Sequence, residues 1–299
     1  MCHFSRVLVA TDDGLDARPA LRKAIYFANQ SHADLTVLRI QLPKQNTVNH
    51  WLQQLFTTAP AIISHERQRH PAYPDKNLRL TLKHCHATSI THAVLDELER
   101  AEYDLLILEH HEYSALRCEF GHTEDWELLQ RVPVPVLYIS SEPWEISGKL
   151  LTAIEVDDDA ESHRLFNQQL LEVSDELAKV FNMELHLLTC YQAHDLSVSF
   201  DVQRESHQSQ VSQHWQRLRQ TAQPLALEDK FLHLAAGLPD DMVPEAAQRW
   251  HSNLVVMGAS EHTSLLSAFK GRASEQLLNH LRCDVLALKP NNGQLQRLH

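Results

Sequence analysis

Short apolar runs alternate with longer segments of helical period along the whole chain. In the first half the pattern predicts strands at Val7–Ala10, Leu35–Ile40, Leu78–His84, Leu105–Leu108 and Val134–Ile139. Between them it predicts helices at Pro19–Ser31, within 51–69, at Ile90–Ala101 and at Thr123–Val132. In the first helix Leu21, Ala24, Ile25 and Ala28 recur at i, i+3, i+4 and i+7, which makes one buried stripe. The strands are short and almost wholly apolar, as expected where helices cover both faces of a parallel sheet.

The second half repeats this order, with strands at Leu150–Val156, Leu185–Cys190, Phe231–Ala235, Leu254–Met257 and Val285–Leu288. Residues 104–108, DLLIL, stand 149 positions before residues 253–257, NLVVM, and the same offset carries Leu128-Leu129 onto Leu277-Leu278. VPVPVLYI (132–139) falls on LRCDVLAL (281–288) in the same way. Matches this weak persuade through their shared order, and they predict two copies of one domain, over 1–140 and 149–290. Each copy is expected to be an α/β domain of flavodoxin-like type, with an open five-stranded, mainly parallel sheet and helices on both faces. The expected strand order is 3-2-1-4-5. Ser140–Gly148 reads as the linker, and Pro244 is placed near the start of a helix or at a kink.

Composition narrows the functions open to this fold. The chain holds seven glycines in 299 residues, where an average chain would hold roughly 21. It therefore lacks the backbone for many phosphate-cradling loops. A formal charge of −12 disfavours nucleic acid. Five cysteines with no CxxC spacing fit a reducing cytoplasm rather than a disulfide framework. With no stretch near ~20 apolar residues, no membrane association is expected.

Ligands of open α/β sheets bind beyond the carboxyl ends of the strands. In the second copy this points to MGASEHTSLLSAFKGRASEQLL (257–278). Gly258 ends the fourth strand, and Gly271 stands just before a helix expected to begin near Ala273–Ser274. A helix N-terminus offers unpaired N–H groups to a phosphate, and Lys270 and Arg272 would add cationic contacts.

At this point the sequence resembles a family, the universal stress proteins of the tandem two-domain, E type. The resemblance rests on Ala10-Thr11-Asp12 after the opening strand, on VMGAS…FKGRASEQLL, on the closing RCDVLALKP, and on LRKAIYFA and TEDWELLQRVPVPVLYI. It implies a protein of stress response and survival that binds ligands or partners in the cytoplasm. In nucleotide-binding members a phosphate loop runs Gly, two residues, Gly, nine residues, Gly, then Ser or Thr. Carried onto this chain, those positions are Gly258, Glu261, Gly271 and Arg272, so two of four match. The adenine-side aspartate maps onto Glu155. The candidate cofactor-binding set is thus Glu155, Gly258, Ser260, Gly271, Arg272, Ala273 and Ser274, for ATP, ADP or AMP, with no metal beyond nucleotide-associated Mg²⁺. Glu261 opposes this reading by placing a carboxylate where a phosphate would lie.

In the first copy Asp12 keeps the family's aspartate, but Glu109 stands where the first loop glycine belongs. The stretch 109–125 carries Glu109, Glu112, Glu119, Glu124 and Asp125. That copy is read as degenerate and not nucleotide-binding. The resemblance also implies an intramolecular pseudo-dimer in which Val134–Ile139 and Val285–Leu288 meet.

The 21 histidines add little chemistry to the sequence reading. His84 and His86 share one strand face around Cys85, but the expected strand order keeps them far from Glu109-His110-His111-Glu112. No HExxH or zinc-finger spacing occurs, and no GxSxG marks a nucleophile. Asp157-Asp158-Asp159 reads as an acidic turn leading a helix. No enzyme is expected; a non-nucleotide interaction protein with an unknown protein partner is the alternative, and a weak ATPase the third reading.

Overall fold

A computed structural model of the chain describes residues 4–12, 18–42, 78–109, 124–140, 144, 147–157, 160–191, 202–259, 278 and 280–290. It divides into two compact units, Met1–Ile146 and Ser147–His299.

The first unit contains β1 (Arg6–Asp12), α1 (Arg18–Ser31), β2 (Asp34–Gln41), β3 (Leu80–His86), α2 (Ile90–Arg100), β4 (Leu105–Glu109), α3 (Glu124–Arg131) and β5 (Val136–Ile139). Its strands lie in the order β3-β2-β1-β4-β5, with every described pairing parallel. The second unit contains β6 (Lys149–Ala153), α4 (Glu161–Phe181), β7 (Glu184–Tyr191), α5 (Val202–Ala222), β8 (Leu232–Ala236), α6 (Pro239–Arg249), β9 (Ser252–Gly258) and β10 (Asp284–Leu288). Its order is β10-β9-β6-β7-β8, again parallel throughout the described pairs. Both units carry the order expected from the sequence.

Apolar burial explains why these segments become strands and helices. Leu21, Ala24, Ile25 and Ala28 of α1 are at most 1% exposed, as are Leu105, Leu106 and Ile107 of β4. Val255 and Val256 of β9 are equally buried. In α4 the buried stripe runs through Phe166, Leu170, Leu177 and Phe181.

The two units repeat details that no hydrophobic pattern encodes. Helix α1 is followed by His32 at φ 59°, and the next amide, Ala33 N–H, reaches back to Ala28 O at 2.8 Å. Helix α4 is followed by Asn182 at φ 52°, with Met183 N–H on Ala178 O at 2.8 Å. These are left-handed C-terminal caps, the place where glycine is usual. Ser147, Ala226 and His251 also adopt positive φ. Glycine scarcity therefore carries a conformational cost, since L-residues adopt this region at a penalty. At the start of each first strand the same anchor recurs. Asp104 Oδ2 accepts from Arg6 N–H at 2.9 Å and Ser5 N–H at 3.1 Å, and Asn253 Oδ1 accepts from Lys149 N–H at 3.1 Å.

Three expectations need correction. The first strand of the second unit ends at Ala153 rather than Val156. Beyond Ile154, whose N–H still bonds Leu188 O, side chains capture the carbonyls of Glu155 and Val156 in place of a neighbouring strand. The third strand of the first unit begins at Leu80, two residues later than expected. Pro244 lies inside α6, six residues into Pro239–Arg249, rather than near its start. The helix expected within 51–69 falls outside the described residues.

Candidate functional site

The strand order of the second unit reverses direction at β6, which pairs with β7 on one side and β9 on the other. Such a switch point opens a crevice beyond the strand ends. Ala153 pairs with Met257, so the segment following β6 emerges beside Gly258, the last residue of β9.

Glu155 lies in that segment, not on the strand itself. Its carboxylate Oε2 is 3.9 Å from Nδ1 of the buried His163 on α4, and its side chain is 24% exposed. Its backbone carbonyl accepts from Asn167 Nδ2 at 2.6 Å. One turn of α4 thus supplies both contacts, because positions 163 and 167 are four residues apart and face the same way.

Two residues on, Asp157 Oδ1 is 2.7 Å from His214 Nε2 and 3.7 Å from Arg217 Nη1. Arg217 Nη1 also donates to Asp157 O at 3.2 Å and Val156 O at 3.4 Å. His214 and Arg217 share one face of α5, and His214 also lies against Tyr191 at the end of β7, with ring centroids 5.1 Å apart. Asp157, between β6 and α4, is therefore tied to α5.

The far side of the crevice is formed by β9 and β10. Ala259 N–H donates to Leu288 O at 2.7 Å. Lys289 follows, and Gln169 Nε2 of α4 holds its carbonyl at 3.0 Å. Burial pushes the Lys289 ammonium down to about 8. A lysine with that value is part neutral near pH 8, and an anion nearby would restore its charge.

Of the predicted site residues, Gly258 ends β9 and Glu155 lies in the segment that follows the paired strand β6. Ser260, Gly271, Arg272, Ala273 and Ser274, with Glu261 and Lys270, lie outside the described residues. Sequence reasoning missed His163, Asn167, His214, Arg217 and Lys289. A signal existed for two of them: polar residues at 163 and 167 interrupt the apolar stripe of α4 one turn apart.

In the first unit Asp12 ends β1 and Glu109 ends β4. Glu109 thus occupies in its strand the terminal position that Gly258 occupies in β9. His84 and His86 lie on one face of β3, ring centroids 4.9 Å apart, in register with Arg39 and Gln41. The Cys85 thiol is half-buried and pushed up by that burial. Burial also drives the Cys190 thiol up to about 12, which leaves it protonated and unreactive at neutral pH. Among the described residues, no group of three or more His, Cys, Asp or Glu could hold a metal ion. Nor, among them, is any helix long and apolar enough to cross a membrane.

Comparison with known proteins agrees with this architecture. The universal stress protein family matches residues 3–140 and 154–289. The chain is 26% identical over 313 residues to universal stress protein E of Escherichia coli (strain K12), covering 98% of this chain and 96% of that one. It is 23% identical over 303 residues to a universal stress protein E homolog of Haemophilus influenzae, covering 96% and 98%. A functionally unknown protein from Pseudomonas aeruginosa PAO1 superposes with a TM-score of 0.72 at 21% identity, covering 99% of this chain and 96% of that one. A universal stress protein from Archaeoglobus fulgidus DSM 4304 gives 0.60 at 12% identity, covering 98% of each.

Proposed function

The chain belongs to the universal stress protein family, and on that footing we propose that it acts in stress response by binding an adenine nucleotide in its second domain. The observation that carries this reading is Glu155, which follows β6 at the switch point, where the paired strand β9 ends in Gly258. A carboxylate there accepts the exocyclic N–H of an adenine. The segment from Ser260 to Ser274 would then receive the phosphates through Gly271, Arg272 and the N–H groups at Ala273 and Ser274. Lys289 supports the reading as a half-buried lysine near the same strand ends.

Glu109 at the end of β4 sets the first domain apart. A carboxylate in place of the glycine repels a polyphosphate, so one nucleotide per chain is the expected stoichiometry. The protein works by occupancy rather than turnover. The cytoplasm suits cysteines such as Cys85 and Cys190, which are free thiols.

Titration of the full chain with AMP, ADP and ATP tests the proposal. Saturable binding below millimolar concentration is expected, and no saturable signal up to millimolar concentration overturns it. A specific observation supports the second reading, a protein-binding role without nucleotide. Arg217 already spans the carbonyls of Val156 and Asp157, occupying backbone acceptors that a bound base would otherwise use. If that arrangement closes the crevice, Arg217→Ala will bind nucleotide where the parent chain does not.

A further inference from the structure

At the other ends of the same strands, away from Glu155, a line of polar groups joins β7 to β8. Glu184 and His186 are two residues apart on β7 and face the same way. His186 Nε2 lies 2.8 Å from Glu184 Oε1, and its Nδ1 lies 2.9 Å from His233 Nε2 on β8. The His186 side chain is only 8% exposed. Its ring lies nearly parallel to that of His233, with an interplanar angle of 13° and centroids 5.2 Å apart. The His233 ring in turn stacks on Trp250, centroids 3.9 Å apart, and Phe231 meets His186 edge-on.

Two ring nitrogens at 2.9 Å require one donor and one acceptor. With both imidazoles neutral, His186 donates from Nε2 to Glu184 and accepts at Nδ1 from the N–H of His233. One added proton turns His186 into a donor at both nitrogens, and His233 Nε2 becomes the acceptor. Both states keep the line intact. A second proton places N–H against N–H and two positive charges within 3 Å, and no rearrangement of protons satisfies the pair.

We propose that Glu184, His186 and His233 form a proton-operated clasp, which joins the start of the edge strand β8 to β7 and opens when both imidazoles are charged. The surroundings favour this behaviour. Glu184 from β7 accommodates one positive charge on the pair, while Lys149 from β6 opposes a second. The turn Asp229–Phe231 and the segment after α6 contribute the rings of Phe231 and Trp250. The charges flanking that turn are paired, Arg219 with Asp229 and Lys230 with Glu228. Burial, then the charges of His186 and Lys149, push His233 down to about 4. Between about 6.5 and about 4 the open state therefore binds more protons than the closed one, and acid favours opening.

Amide hydrogen exchange along β8, corrected for the intrinsic pH dependence of exchange, tests the clasp on the full chain. Protection across Leu232–Ala236 is expected to fall at least tenfold as pH drops from 7 to 4, while β9 stays protected. His233→Gln keeps a donor towards His186 Nδ1 and removes the titration, so its β8 protection is expected to stay level over that range. Equal loss of protection in His233→Gln and the parent chain overturns the proposal. Should the variant not fold, imidazole nitrogen shifts of the parent chain decide the matter. His233 remaining neutral to below pH 5 supports the clasp, and His233 titrating near 6.5 overturns it.

Discussion

In the first domain the outermost strand β3 is tied to helix α2, and in the second the outermost strand β8 is tied to its neighbour β7. The first tie is an ion pair with a phenol. Glu97, 4% exposed, meets Lys83 Nζ at 2.5 Å and accepts from Tyr103 O–H at 2.6 Å. The Glu97 hydrogen bond holds the Lys83 ammonium above its ordinary value, so this tie is insensitive to pH over the neutral range. The second is the Glu184–His186–His233 line, in which burial pushes His233 down to about 4, so that it takes up its proton only in acid. One fold in two copies has kept its strand order and its helix caps while changing the chemistry that holds its edges. Acid should therefore separate the two copies.

The comparison can be broken most forcefully at Glu97. Its removal leaves a lysine and a tyrosine hydroxyl without their partner, and Glu97→Ala is expected to destabilise the first domain by about 3 kcal/mol. Domain-resolved hydrogen exchange should place the loss on β3 and α2, leaving β6 to β10 unchanged. Next in size is the anchor at the strand starts. Asp104 accepts from two backbone amides, the Ser5 hydroxyl and Arg6 Nη2, while Asn253 accepts from the Lys149 amide. Urea denaturation should show Asp104→Ala costing about 2–3 kcal/mol and Asn253→Ala about 1 kcal/mol.

The pH dependence sharpens the contrast. Burial raises the Asp104 carboxyl, but hydrogen bonds from Arg6 and Ser5 outweigh it and hold the carboxyl below its ordinary value. Its contribution is present above that ordinary value, near 3.8, and is lost as pH falls through its lowered value in the folded chain. His233 acts earlier: its contribution declines as pH falls from about 6.5 towards about 4. Acid titration should thus loosen the second domain before the first, and His233→Gln should bring the two transitions together. The smallest expected effects are gains. Ala226→Gly and His251→Gly relieve positive φ, and each should stabilise by about 0.5–1 kcal/mol in thermal melts. Gly237 runs the other way, because at φ 148° an added Cβ would meet Met242 Cγ at 2.9 Å.

Much of this architecture was legible before any coordinates. Apolar runs mark strands such as β5 and β10, which are buried along their whole length, and the offset between DLLIL and NLVVM matched the two copies. Strand ends were less legible. Residues 154–156 are as apolar-looking as the strand before them, yet side chains of α4 and α5 take their carbonyls and stop the ladder. The same limit applies to the site. Gly258 could be found because it ends an apolar run, and Glu155 only because the family's aspartate maps onto it. His214 and Arg217 could not, because nothing local in α5 shows that one face of it meets a turn some sixty residues earlier. Nor could the Glu184–His186–His233 line, which depends on the register between β7 and β8.

We propose that the two copies differ in nucleotide binding because of what ends their fourth strands, Glu109 on β4 and Gly258 on β9. Isothermal titration of AMP and ATP into the full chain, beside Gly258→Glu, tests it most directly. One site per chain is expected in the parent and none in Gly258→Glu, with unchanged helix content. Two sites per chain, no site in the parent, or binding undiminished in Gly258→Glu would contradict it.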